Sequence, residues 1–332
     1  MLILLGLVRL VVALATLGAA LAAIAAWFGF AVPFFDLFNH LQVVLIAAMV
    51  ITLVLVLVLF IGSSWQWPLA GLLALGLIAS AATVGPETLA AFATRPPAPG
   101  DGRPVLKLMT HNLFGLNRDM ERVARVIATE NPDIVALQEF FPEQRATLPQ
   151  LLAPQYPYSA RCVGGKRANI AIFSKLPFAE AQDGDCPQDR SGAQRTAHIL
   201  ANFTLADGTR FAVLTTHFDW PFPIERQRQQ RDVIVNTLKD VTVPVLVVGD
   251  FNLTPWSYAQ RDFATAAGLT RQTHGILTWP ARFWVKGWRD TQPLLPLDQV
   301  MSRGPITVND LHAGERTGSD HLPIVVTFSV GG

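Results

Sequence analysis

The stretch "VPVLVVGDFN" (243–252) combines a core strand with reactive side chains. Its valine-rich run is typical of a buried β-strand. The run passes Gly249 and ends at Asp250, and Asn252 follows two positions later. Side chains at positions i and i+2 of a strand lie on the same face. We therefore predict that Asp250 and Asn252 direct a carboxylate and an amide at one point.

Similar segments surround this stretch and predict the fold. Strands are predicted at "VLKLMTHN" (105–112), "DIVALQE" (133–139) and "RFAVLTTHF" (210–218), with closing strands at "LDQVMSRG" and "LPIVVTFSV". Helices are predicted over 118–130 and 223–240, where apolar residues recur at helical spacing. This order predicts an α+β domain over 105–330, a four-layer α/β sandwich of two packed sheets flanked by helices.

Residues 1–100 have a different composition, because only four of their side chains are charged. Uncharged apolar stretches occupy 10–30, 41–62 and 67–85, and each is close to the roughly 20 residues that cross a bilayer as a helix. A cleavable signal peptide is the alternative for the first stretch, but its apolar core is long and two further stretches follow. We predict a three-span transmembrane region over 1–85 and a Pro/Gly-rich linker over 86–104.

The orientation in the membrane is encoded by few charges. Arg9 precedes the first span, and the loop after that span contains Asp36 but no Lys or Arg, which favours a cytoplasmic N-terminus. Three crossings then place the folded domain outside the cytoplasm. Cys162 and Cys186 both lie in this domain, where they could form a disulfide or remain thiols.

Polar and ionisable residues recur at the predicted strand ends. A single residue of this kind is most often a cap or turn residue. A mixture of carboxylates, amides and imidazoles at six strand ends is hard to explain by capping. The residues are Asn112, Glu139, His217, Asp250, Asn252, Asp298, Asp320 and His321.

These motifs, "HN", "QE", "TH", "GDFN", "LDQV" and "SDH" in this order, resemble the endonuclease/exonuclease/phosphatase superfamily. The resemblance covers roughly residues 105–330. The layout of the chain is similar to that of bacterial membrane-anchored members of the superfamily. The resemblance implies a phosphoric ester hydrolase that depends on Mg²⁺ or Mn²⁺. The N-terminal spans lie outside the resemblance. With these spans and their charge bias, we predict an integral membrane protein, of the bacterial inner membrane, with an extracytoplasmic or periplasmic domain.

The resemblance assigns roles to individual residues. Glu139, Asp320 and Asn112 are the expected metal-binding residues, since carboxylate and amide oxygens suit hard cations. Asp250 is expected to orient the attacking water or to act as a ligand at a second metal position. Asn252 is expected to donate to a phosphoryl oxygen, and Asp298 to pair with His321. His217 matches the second histidine of the deoxyribonuclease and sphingomyelinase branches.

The identity of the substrate is less well determined by the sequence. Arg195 resembles a phosphate-contacting arginine, although a surface arginine is equally compatible. The loops "HFDWPFP" (217–223) and "TWPARFWVKGW" (278–288) contain several aromatic residues, among them Trp220 and Trp284, which suit lipid contact, base stacking or ordinary loop packing. Because the domain is tethered to a bilayer, a phospholipid or sphingolipid headgroup is favoured over nucleic acid. The alternatives are an extracytoplasmic nuclease and an inactive membrane-bound binding module.

Overall fold

The structure, a computed structural model, describes residues 2–93, 102–165, 167–180, 196–284 and 287–331. In these residues, the α-helices are α1 (Leu2–Ala26), α2 (Pro33–Asp36), α3 (Gln42–Leu59), α4 (Gln66–Ala90), α5 (Met120–Glu130), α6 (Pro142–Arg145), α7 (Leu148–Leu152), α8 (Ile224–Lys239) and α9 (Tyr258–Ala267). The strands are β1 (Val105–Asn112), β2 (Ile134–Gln138), β3 (Tyr158–Cys162), β4 (Ile170–Ser174), β5 (Phe178–Glu180), β6 (His198–Thr204), β7 (Arg210–His217), β8 (Val245–Asp250), β9 (Thr270–Arg271), β10 (Arg282–Trp284), β11 (Trp288–Asp290), β12 (Asp298–Arg303), β13 (Ile306–Ala313) and β14 (Ile324–Val330).

The chain divides into two compact units. The first comprises Met1–Phe92 with Thr254–Arg261, and the second comprises Ala93–Leu253 with Asp262–Gly332. Three helical stretches in the first unit are long and apolar enough to cross a membrane: Ile3–Phe30, Pro33–Leu59 and Gln66–Ala90. The three long apolar helices predicted from the sequence are therefore present. The third continues through Pro86 to Ala90, into the segment predicted as an extended linker.

Small side chains allow the helices of the first unit to pack closely. Ala20, Met49 and Leu73 are fully buried among them. A Cβ atom added at Gly76 would lie 2.6 Å from the Met49 sulfur and 3.0 Å from the Ala20 Cα. Only glycine allows this approach, and close packing of this kind holds apolar helices together when lipid surrounds them.

The second unit contains two six-stranded sheets. One has the strand order β13-β14-β1-β2-β4-β3, and the other has the order β5-β6-β7-β8-β12-β9. Their facing sides share one apolar core, to which Leu108 and Phe328 contribute from the first sheet and Phe211 and Val248 from the second. Helices cover the outer sides, so the predicted two-sheet, four-layer sandwich is confirmed.

Side-chain alternation explains how each sheet fills two cores. In β1, Leu108 belongs to the core between the sheets, whereas Met109 belongs to a separate core with Val123 and Ile127 of α5. Successive residues of a strand point to opposite faces, so a strand buried on both faces is apolar throughout. This continuous apolar pattern leaves the strand ends as the place where polar side chains can reach solvent.

Candidate active site

The topology brings the predicted strand ends to one edge of the sandwich. In the second sheet β7 and β8 run parallel, with His217 beside Asp250, and β12 runs antiparallel to β8, with Asp298 opposite Asp250. In the first sheet β1 and β2 are parallel, with Asn112 beside Gln138, and Glu139 follows directly. The carboxyl ends of four strands and the start of a fifth therefore meet.

Asn112 connects the two sheets within this site. Its side-chain Nδ2 donates to the Asp250 carboxylate at 2.9 Å and lies 3.4 Å from the Glu139 carboxylate. The backbone N–H of Gly115 donates to the other Glu139 oxygen at 2.7 Å. Glu139 has a left-handed backbone conformation, with φ of 54°, as does Asn252 with φ of 49°. These conformations turn the chain at the strand ends, where both side chains join the site.

Gly249 is a requirement of this close arrangement. Its φ is 142°, and a Cβ atom at this position would lie 2.0 Å from the backbone oxygen of Thr216 in the neighbouring strand. No side chain fits there. The glycine that precedes Asp250 therefore allows β7 and β8 to remain paired up to His217 and Asp250.

His321 forms one arm of the site together with Asp298. The Asp298 carboxylate lies 2.7 Å from His321 Nδ1, and the Asp250 carboxylate lies 3.6 Å from Nε2. Burial by itself would lower the pKa of His321, but the negative charges of Asp298 and Asp250 outweigh burial and raise the pKa to about 10. His321 is therefore an imidazolium at neutral pH, with a proton on each ring nitrogen.

His217 forms the opposite arm and has the opposite charge state. Its Nε2 lies 3.3 Å from the Asn252 amide nitrogen and 3.4 Å from the Asp250 carboxylate. Burial, followed by the positive charges of Arg167 and His321, holds the pKa of His217 well below its ordinary value. The ring is neutral and carries one proton, and its Nε2 faces both the Asn252 amide and the Asp250 carboxylate.

Asp250 lies between the two histidines. Burial raises the pKa of its carboxyl to about 7, with the charge of Asp298 adding to the rise and that of His321 opposing it. Its Oδ1 accepts the backbone N–H of Asn252 at 2.9 Å. A carboxylate that titrates near neutrality is suited to accept a proton during a reaction.

The site contains carboxylates that fit a divalent metal ion. Asp250, Asp298 and His321 have potential ligand atoms within 4.8 Å of one another, but the doubly protonated His321 ring has no lone pair for a metal, which leaves the two carboxylates of this group. Burial and then the charge of Glu139 raise the pKa of Asp320. The buried Oδ1 atoms of Asp320 and Asp298 have no hydrogen-bond partner in the described part of the chain. Because a cation would relieve both the repulsion and the missing contacts, these carboxylates are suited to hold one.

Two of the three predicted substrate-contacting residues lie beside this site, and Arg195 lies outside the described residues. The Trp220 ring packs against Trp279 at a centroid distance of 5.9 Å, and Trp279 Nε1 donates to Asp320 at 3.3 Å. The Trp284 ring packs against Trp288 at 5.4 Å, and Trp288 packs against Phe114. The two tryptophans are thus linked by ring contacts to residues that adjoin the candidate metal site.

Sequence reasoning missed several residues that support the site. Ser319 Oγ accepts the backbone N–H of His321 at 3.0 Å and donates to the Asn112 carbonyl at 2.7 Å, so it fixes two site residues. Arg167 has no predicted role, and Trp279 belongs to a loop predicted to suit lipid contact, base stacking or ordinary packing rather than to the metal site. A contact between distant loops leaves no spacing pattern in the sequence.

Comparisons with known proteins agree with this architecture. A family model described as the endonuclease/exonuclease/phosphatase family matches residues 109–321. A UPF0294 protein of Vibrio cholerae is 31% identical over 131 residues, which cover 39% of this chain and 44% of that protein. The chain thus aligns with less than half the length of this curated relative.

Solved structures show the same fold at low sequence identity. An endonuclease/exonuclease/phosphatase family protein from Bacteroides thetaiotaomicron has a TM-score of 0.54 and 18% identity, over 69% of this chain and 99% of that one. The human Nocturnin catalytic domain with bound sulfate has a TM-score of 0.53 and 21% identity, over 69% and 96%. These similarities support the fold, while the substrate has to be inferred from the site.

Proposed function

Because the chain belongs to the endonuclease/exonuclease/phosphatase family, we propose that it is a membrane-anchored, metal-dependent phosphoesterase. The favoured substrate is a phosphodiester in a phospholipid or sphingolipid headgroup. One observation carries the proposal: a buried carboxylate with a pKa of about 7 lies between a neutral histidine and a protonated one. Hydrolysis by water needs a proton acceptor and a cationic donor, and this arrangement supplies both.

Each residue has a defined role in this mechanism. Mg²⁺ or Mn²⁺ held by Glu139, Asp320 and Asn112 would supply Lewis-acid stabilisation of a phosphoryl oxygen. Asp250 orients water and accepts its proton. The His321 imidazolium donates from Nε2 to a phosphoryl oxygen, because Asp298 holds the proton on Nδ1.

Asn252 and His217 form the other side of the proposed mechanism. The Asn252 amide donates to the Phe218 carbonyl at 2.9 Å and lies 3.3 Å from His217 Nε2, so both of its N–H groups are engaged. The predicted contact of Asn252 with a phosphoryl oxygen would require one N–H to exchange partners when substrate binds. In this arrangement Asn252 also fixes the orientation of His217.

Exposed aromatic side chains support the choice of a lipid substrate. Trp220 is 51% exposed, Phe222 67%, Phe283 55% and Trp284 60%. Rings on loops beside an active site suit the interfacial region of a bilayer, where they bury apolar area close to headgroups. The apolar helices of the first unit would hold the site near such a surface, which raises the effective concentration of a lipid substrate.

The proposed location outside the cytoplasm has independent support from cysteine chemistry. Cys162 is disulfide-bonded, and Cys186 lies outside the described residues. Disulfides persist in oxidising compartments such as the periplasm and are rare in the cytosol. A reporter fused after Gly332 tests this orientation, since we expect activity from a periplasmic reporter. Activity from a cytoplasmic reporter would reverse the proposed topology.

The substrate is tested with purified full-length protein and Mg²⁺. One sample receives mixed phospholipid vesicles that include a sphingolipid, and the other receives plasmid DNA. We expect water-soluble phosphate product from lipid while the plasmid stays intact. The variant Asp250→Asn shows that release comes from this site, and Asp207→Asn, on an exposed turn, is the matched control. Cleaved plasmid with intact lipid would refute the lipid proposal.

A nuclease of the deoxyribonuclease type is the second candidate. The family name includes nucleases, and the exposed tryptophans could stack on bases as well as enter lipid. The plasmid sample of the same experiment identifies this activity. An inactive binding module is the least favoured alternative, because a binding surface has no need for the assembled Glu139, Asp250 and His321 site.

A further inference from the structure

A cavity beside the active site is lined by a charged side chain, Arg167, that the proposed mechanism does not use. Its volume is about 600 Å³, and its lining includes Glu139 and His217 from the site together with Gly164, Gly165 and Arg167. The cavity therefore opens from the reacting centre into the loop between β3 and β4. Arg167 contributes the positive charge of this lining.

The Arg167 side chain is held by one of its nitrogens. Its Nε donates to the Asp219 carboxylate at 2.8 Å, and the two side chains are only 25% and 15% exposed. Within the described part of the chain, Arg167 makes no other hydrogen bond. Since Nε is occupied, the guanidinium has a fixed plane, and its terminal nitrogens are available to an anionic ligand.

Asp219 is in turn fixed by helix α8. Its backbone N–H donates to the Gln230 side chain at 2.7 Å, and the Gln227 amide donates to the Asp219 carbonyl at 2.6 Å. Both glutamines are buried. The helix thus fixes the backbone of Asp219, and the Asp219 carboxylate holds the arginine. A solvated surface arginine does not require such support.

Arg167 lies close to the active site. It lines the same cavity, of about 600 Å³, as Glu139 and His217. The guanidinium is therefore near enough to the reacting centre for one substrate to contact both. A group bound by Arg167 would belong to the same molecule as the phosphate at Asp250.

From this arrangement we propose that Arg167 is a specificity-determining residue that binds a second anionic group of the substrate, with Asp219 as its positioning residue. This inference rests on the proposed function, and it narrows the substrate to lipids whose headgroup carries a further phosphate or carboxylate near the scissile phosphate. A cationic headgroup such as choline would be repelled by the positive charge of the guanidinium and would therefore bind less well.

The test compares two lipids with the same acyl chains in detergent micelles with Mg²⁺. One headgroup carries a second phosphate and the other carries choline. We expect wild-type kcat/KM to be about tenfold or more higher for the bisphosphate lipid, as for one charge-assisted hydrogen-bonding contact. Arg167→Met should raise KM for that lipid with little change in its kcat, should improve hydrolysis of the choline lipid because the repulsive charge is gone, and should so remove the preference. Arg167→Lys should restore part of it.

A matched control is available on helix α8. Arg228 is paired with Glu225 at the same 2.8 Å, but the two side chains are 60% and 57% exposed. Arg228→Met should leave both lipids unaffected. The proposal for Arg167 is overturned if wild-type protein prefers the choline lipid, or if Arg167→Met reduces hydrolysis of both lipids equally.

Failure of the lipid proposal can be told apart from failure of this inference. If neither lipid is hydrolysed, the proposed substrate class is wrong. Arg167 is then tested with bis(4-nitrophenyl) phosphate as substrate and with inositol 1,4-bisphosphate and phosphocholine as competing inhibitors. Stronger inhibition by the bisphosphate that is lost in Arg167→Met supports the assignment, and equal inhibition by both compounds refutes it.

Discussion

The two histidine arms of the site differ in charge although both are buried. His217 is 2% exposed and His321 is 5% exposed, yet the pKa of the first is lowered and that of the second is raised to about 10. The difference lies in the partners. Both rings lie 3.4 to 3.6 Å from the Asp250 carboxylate. Asp298 also contacts His321 at 2.7 Å, whereas His217 has the neutral Asn252 amide at 3.3 Å and the charge of Arg167 nearby. Burial alone therefore does not decide the protonation of a buried histidine.

A third histidine offers a comparison outside the site. His312 lies 2.9 Å from the Asp310 carboxylate, with the side chains 43% and 63% exposed. The pair resembles His321 and Asp298 in distance, but it is exposed to solvent. His312 therefore provides a control for each substitution at the two arms.

The largest expected effect comes from the carboxylate that both arms share. Asp250→Asn keeps the size of the side chain but removes the proton acceptor, so we expect kcat to fall by about 10² to 10⁴-fold. The measurement is steady-state hydrolysis of the best substrate found. Near wild-type turnover by this variant, with the fold intact by circular dichroism, would place the base elsewhere.

Removal of the positive charge of His321 should have the next largest effect on kcat. His321→Gln can still donate a hydrogen bond but has no positive charge, and we expect kcat to fall by about 10²-fold, as for loss of one donor to developing charge. The control variant His312→Gln should leave kcat unchanged. Equal rates for His321→Gln and wild type would show that the imidazolium is not used.

Substitution of Asp298 should make His321 more like His217. Without this carboxylate, burial dominates and the pKa of His321 falls from about 10. If the imidazolium is required, activity in the wild type is lost as pH rises through about 10, and in Asp298→Asn the loss begins at a lower pH. The alkaline limb of the pH profile should move to lower pH by about one pH unit or more. A profile of kcat/KM against pH checks it, and an unchanged alkaline limb contradicts the proposed pairing.

The reverse substitution should make His217 more like His321. Asn252→Asp places a carboxylate beside His217 and should raise the pKa of that ring, by an amount reduced by the nearby charge of Asp250. Titration of isotope-labelled histidine by NMR would show the change, with His312 as an internal reference. A His217 that stays neutral through acidic pH in this variant would show that burial outweighs the partner.

Much of the fold was visible in the sequence. Strand β1 was predicted with the observed bounds 105–112, and helix α8 was predicted as 223–240 and observed as Ile224–Lys239. Periodicity reveals these elements because each residue contributes to one pattern. The mixed pairing, parallel for β7 with β8 and antiparallel for β12 with β8, is not contained in any local pattern.

The site was predictable only where residues follow strands. Asp250, Asn252 and His217 end predicted strands, so their convergence followed from the sheet edge. Arg167 and Trp279 act through contacts with Asp219 and Asp320, which are distant along the chain. Such contacts depend on loop conformation, and no spacing rule predicts it. The proposed choice of Glu139 and Asp320 as metal-binding carboxylates also depends on three-dimensional distances between loops that are far apart in the sequence.

The left-handed backbone at Glu139 has a consequence for attempts to stabilise this protein. A side chain in this conformation costs about 1 to 2 kcal/mol, and glycine avoids that cost. A search for thermostable variants would therefore favour glycine at position 139, at the expense of the carboxylate proposed to bind metal. Glu139 lowers the stability of the fold while it is proposed to bind the metal ion. Variants at this position should therefore be selected for heat resistance and turnover together.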